Sequence, residues 1–155
     1  MQNLITHLIV TFIYLAVAAD FWRANKPAEN QVHLKLHSTM IALGLVVHGW
    51  LLHQSIFSYG FNLGFYESIS AILWLTVLIY WTASFFYKLD GLQTCLMPMA
   101  VLGVALAQLL PPAYLAYDFH QPALLLHIAV SLLAYSLLLI AAILAVMMPH
   151  GRRLL

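Results

Sequence analysis

Eight histidines stand in a chain of 155 residues that holds only six basic and five acidic side chains. Two of them have the setting that chemistry needs. His48 lies in "HSTMIALGLVVHGWLLHQS", residues 37 to 55, and His127 lies in "QPALLLHIAV", residues 121 to 130. Each is a few residues inside the same end of a different apolar run, so at ~1.5 Å rise per helical residue both sit within ~10 Å of one surface. An imidazole in hydrocarbon must find a partner or face a polar cavity. The neutral ring is also a strong ligand for haem iron, zinc or copper, and two opposed imidazoles on neighbouring helices are able to hold one haem edge-on. The plainer reading is a hydrogen bond across a helix interface and nothing more. His7 reaches a similar depth from another run. His37 is eleven residues before His48, hence on the same helical face, but ~16 Å away along the axis and too far to share a metal ion. His53 and His120 are expected at the interface or in a loop.

The elements that position these rings follow from composition. Hydrophobic residues make up 64% of the chain, charged residues 7%, and mean hydropathy is +0.92, a balance foreign to water-soluble domains. Five apolar runs approach the ~20 residues that span a ~30 Å hydrocarbon core as helix: about 3–20, 37–55, 67–87, 95–111 and 122–148. They do not alternate as barrel strands do. The expectation is an all-α, polytopic transmembrane helical bundle, one domain over residues 1–155, with lipid as its first partner. Arg23, Lys26, Lys35, Lys88, Arg152 and Arg153 all fall on one side of that arrangement. The positive-inside rule then places the N-terminus outside. Aromatic residues collect at the boundaries, Trp22 and Tyr87 inside, Phe57, Tyr59, Phe61, Tyr66, Tyr114 and Tyr117 outside, as an interfacial belt does.

The longest polar segment, "DFWRANKPAENQVHLKLH" at 20–37, reads as a cytoplasmic connector in which Pro27 discourages continuous helix. Pro98 is expected in the first turn of the fourth span, where a missing N–H costs nothing, and Pro122 near the start of the fifth. Gly44, Gly49 and Gly103 are expected to let helices approach closely. The first run ends in an Ala-x-Ala pattern like a signal-peptide site, but no basic residue precedes it, which suits a retained helix. A single cysteine, Cys95, allows no internal disulfide and reads as a small core residue. The stretch "NLGFYES", residues 62–68, puts Glu67 at the start of the third span, where a helix N-terminus stabilises negative charge. Alternatively the loop is an aromatic flap over an apolar ring system, though its composition fits an interfacial loop better.

Three stretches together resemble one family. "GFNLGFYESISAILW" (60–74), "QPALLLHIAVSLLAYSLLLIAAILAV" (121–146) and "VVHGWLL" (46–52) are similar to segments of the cytochrome c assembly family, the CcsA- and HemX-like membrane proteins. The resemblance implies handling of haem at the outer face of the bacterial inner membrane while c-type cytochromes mature. By motif match His127 takes the place of an outer-side histidine directed at haem iron, and His48 that of the second-span histidine. Asn62, Tyr66, Glu67 and Ser68 match the signature loop, whose part is structural or haem-facing. The chain departs from the pattern after "MMPHGRRLL": further spans and a tryptophan-rich outer segment are expected from the rest of a longer chain or from other cytochrome c maturation proteins.

The expected function is therefore binding or presentation of haem, without catalysis. There is no nucleophile–base–orienter set, no phosphate loop and no sign of a nucleic-acid partner. Two alternatives stay open: a membrane adaptor or regulatory subunit without haem, in which the histidines merely pack, and a b-type cytochrome carrying electrons through bis-histidine haem.

Overall fold

The computed structural model describes residues 2–23, 31–58, 61, 63–87, 89, 91–109 and 121–151. All their regular elements are helical: α1 (Gln2–Arg23), α2 (Gln31–Phe57), α3 (Phe65–Ala83), α4 (Leu92–Leu109) and α5 (Pro122–Gly151). Each expected run holds one of these helices. Over the described residues Leu36–Phe57, Phe65–Ala83 and Pro122–Met147 are long and apolar enough to cross a membrane, while Ile5–Ala19 and Leu92–Ala107 are shorter apolar stretches.

The ends differ from expectation where local chemistry decides them. No proline follows Pro27 before His37, so α2 starts at Gln31, inside the polar connector. α3 stops at Ala83 and tightens into a turn, with Phe85 N–H reaching Thr82 carbonyl and Phe86 N–H reaching Ala83 carbonyl. Gly91 takes φ +90°, a conformation costly to any residue with a β-carbon. That turn lets α4 begin at Leu92, so Pro98 lies inside the helix and not in its first turn. Pro98 has no N–H to give the preceding turn, a loss that membrane helices absorb through neighbouring groups. Pro122 opens α5, where its fixed φ and missing N–H suit the first helical position.

Helices α1 to α4 close a ring in which each packs against the next and α4 returns to α1. Consecutive members run antiparallel. Trp74 N–H of α3 donates to Leu45 carbonyl of α2 at 2.8 Å, and one level down Trp81 N–H donates to Ser38 carbonyl at 3.1 Å. Between α3 and α4, Leu73 packs on Gly103, and Tyr80 hydroxyl donates to Gln93 Oε1. Small residues make these approaches, as expected: a β-carbon on Gly44 would lie 2.7 Å from the Tyr14 ring, and one on Gly49 would lie 3.2 Å from the Trp74 indole. α5 stands outside the ring, packed on α3 and lightly on α4. Its anchor is Ser136, wholly buried, whose hydroxyl donates to the Ile72 carbonyl at 3.1 Å and to its own helix at Leu132.

The solvation pattern is reversed from that of a soluble domain. Ile5, Leu8, Phe12 and Leu15 of α1 and Leu43, Val46 and Trp50 of α2 face outward, while His37, His48, Glu67, Ser70, Thr76 and Ser136 are buried. Water would charge ~25 cal/mol per Å² for such outward apolar surface, and lipid does not. This is the surface of a membrane protein. Cys95, expected in the core, is exposed.

Candidate functional site

Three of the buried polar residues, His48, Glu67 and Ser70, gather at the end of the ring where α1 and α3 begin and α2 and α4 finish. His48, 1% exposed, is the hub. Its Nε2 lies 3.0 Å from Ser70 Oγ, and its Nδ1 lies 3.4 Å from the Tyr14 hydroxyl. The Tyr14 ring also meets the imidazole edge-on, with centroids 5.9 Å apart. A neutral ring satisfies both contacts in either tautomer. With Tyr14 O–H donating to Nδ1, the Nε2–H donates to Ser70 Oγ; with the roles reversed, Ser70 O–H donates to Nε2.

Beside this hub is a cavity of about 40 Å³, bounded by His7 of α1, His48, Leu51, Leu52 and Ser55 of α2, Glu67 and Ser70 of α3, and Val104 and Ala107 of α4. Its polar members are placed by helical spacing. His7 and Tyr14 are seven residues apart on α1, as are His48 and Ser55 on α2, and Glu67 precedes Ser70 by three on α3. Each pair shares a helix face. The volume holds roughly two or three waters, a cavity of one water needing ~10–15 Å³. A macrocycle does not fit there.

Glu67 stands in the first turn of α3, as expected, but is buried. Gly64 is the N-cap of α3 and carries no side-chain cap bond. Glu67 is 3% exposed, and its Oε2 is buried without a hydrogen-bond partner. His7 Nδ1 is buried without a partner as well. Elsewhere in the signature loop, Ser68 hydroxyl donates back to the Gly64 carbonyl at 2.8 Å, and Tyr66 packs edge-on against Phe65 with centroids 5.4 Å apart. Asn62, His120 and the aromatic residues Tyr59, Tyr114 and Tyr117 lie outside the described residues.

His127 is elsewhere. It is exposed, near the start of the helix that stands outside the ring, and it takes no part in the cavity. The two histidines at matching depth are thus not brought to one site: His48 points into the ring, and His127 belongs to a helix that packs on α3 and α4. Around His127, one turn to either side, Leu124 and Val130 are exposed and apolar. His53, expected at the interface, is exposed, stacked on Trp50 with centroids 6.3 Å apart and tilted against Phe57 at 5.2 Å. His37 is buried on the same side of α2 as His48. Among the described residues no three His, Cys, Asp or Glu side chains converge to hold a bare metal ion.

Sequence reasoning passed over Tyr14, Ser55 and Ser70. Their signal was present as polar side chains one or two turns from His7, His48 and Glu67 inside apolar runs. Compared with protein-family models, curated proteins and solved structures, the chain matches none, so the reading of its function rests on these residues and their surroundings.

Proposed function

We propose that this chain is a five-span protein of the bacterial inner membrane, N-terminus outside, that binds or presents haem at the outer face during cytochrome c assembly, with His127 as its axial ligand. The observation that carries the reading is the setting of His127. Within Pro122–Met147 of its helix, an 18-residue apolar window is only 11% buried, and the ring is exposed between apolar neighbours. Lipid offers an imidazole nothing, so such a side chain calls for a partner. Haem would supply one: His127 would hold the iron, and the exposed side chains of Leu124 and Val130 would offer apolar contact. The resemblance of residues 46–52, 60–74 and 121–146 to the cytochrome c assembly family supports the same reading. Other maturation proteins, or further spans, would cover what α5 leaves open.

His48 has a different part in this reading. Both its nitrogens face hydroxyl partners, and the cavity beside it is of water size. It organises the ring that carries α5.

The test is an absorption spectrum of the purified protein in mild detergent, oxidised and then reduced with dithionite, with pyridine haemochrome quantification after haem is supplied. Near-stoichiometric haem that is lost in His127→Ala and kept in His48→Gln is the expected result. Haem lost in His48→Gln and kept in His127→Ala would overturn the ligand assignment. No haem in the folded wild type would leave the adaptor reading.

A further inference from the structure

We propose that Glu67 and His7 hold one exchangeable proton between them across a water-filled cavity in the bundle. The inference does not depend on haem. It starts from two polar atoms that have no protein partner: Glu67 Oε2 and His7 Nδ1 are both buried, and both residues bound the same cavity. Burying either group unpaired costs several kcal/mol in a low-dielectric interior, more if the group is charged. A polar cavity large enough for two or three waters is the structural remedy, because each water makes two to four hydrogen bonds.

Charge then limits what the cavity holds. The titratable groups facing it are His7 from α1, His48 from α2 and Glu67 from α3; α4 contributes Val104 and Ala107, and α5 does not reach it. His48 has both nitrogens engaged by Tyr14 and Ser70, contacts that a neutral ring satisfies in full, so it needs no proton from the cavity. No lysine or arginine lines the cavity to balance a carboxylate. Neutrality therefore requires one proton shared by the remaining two groups. Either Glu67 is a carboxylic acid beside a neutral His7, or Glu67 is a carboxylate beside an imidazolium. The two forms interconvert when the carboxyl O–H bond breaks, water passes the proton on, and an N–H bond forms at His7 Nδ1. No net charge enters or leaves the bundle. Ser55, exposed at the rim, and half-buried His7 put this pair at the mouth of the ring, in reach of solvent at the end where α3 begins. The site thus takes a proton and water, and nothing larger.

Infrared spectroscopy of the full chain in detergent, in H₂O and in D₂O, reads the carboxylic acid C=O stretch directly. Glu67→Gln, close in shape, assigns the band by its loss. His7→Gln cannot accept the proton, so the expected result is a Glu67 acid band that rises in His7→Gln and moves in D₂O. ¹⁵N NMR of His7 gives an independent readout: its ring becomes wholly neutral in Glu67→Gln. A Glu67 band of the same intensity in wild type and His7→Gln, or a His7 spectrum unchanged by Glu67→Gln, overturns the proposal. Helix content by circular dichroism confirms that each variant is folded.

Discussion

Ser70→Ala isolates the contact on which the buried hub depends. The Ser70 hydroxyl lies 3.0 Å from His48 Nε2, an ordinary hydrogen-bond distance, and both residues are almost wholly buried. Side-chain hydrogen bonds between membrane helices average ~0.6 kcal/mol and reach ~1.7; a buried partner left dry costs ~1–3 kcal/mol. Ser70 borders the cavity, so water can replace the lost hydroxyl and the cost settles in the lower half of that second range, ~1.5 kcal/mol. Alanine returns up to ~0.5 kcal/mol in helix propensity. The expected net loss is ~1 kcal/mol, about fivefold in the folding equilibrium. Tyr14→Phe removes a contact of 3.4 Å and should cost less than Ser70→Ala. The assay is reversible unfolding in mixed micelles, followed by circular dichroism, as a double-mutant cycle with His48→Leu. In the His48→Leu background the loss from Ser70→Ala should vanish or reverse sign. An equal loss in both backgrounds would refute the reasoning, because the hydroxyl would then be acting through something other than the imidazole.

Gly44→Ala and Gly103→Ala should separate rigid from yielding contacts. The new methyl at 44 meets the Tyr14 ring at 2.7 Å, and Tyr14 is fully buried, whereas at 103 it meets a terminal Leu73 methyl at 2.5 Å. Overpacking of ~1–3 kcal/mol, offset by ~1 kcal/mol of propensity, leaves Gly44→Ala clearly less stable and Gly103→Ala near wild type in the same micelle assay. A reporter fused after Leu155 should be cytoplasmic if five crossings begin outside; an exported reporter refutes that topology.

The extent and apolar character of the five runs made the helical bundle legible without coordinates, because a backbone in hydrocarbon has little choice but helix and because run length maps directly onto bilayer thickness. The glycines were legible too, as small positions at helix approaches. Helix ends were read less well: a positive φ at Gly91 started α4 early enough to move Pro98 inside it, and no hydropathy window registers a single dihedral angle. Depth along each helix was also accessible to counting, so His7, His48 and His127 were placed at one level. Rotation about each helix axis relative to its neighbours was not. The azimuth of a ring depends on how four helices close and where the fifth is left over, which is a property of packing among all of them. That closure turned His48 and Glu67 inward around a water-sized cavity and left His127 on the open flank of α5. That ionisable side chains lie in an apolar bundle follows from the order of residues alone; which of them meet follows from packing, because a helix fixes the spacing of its own side chains but not the direction they face in the assembly.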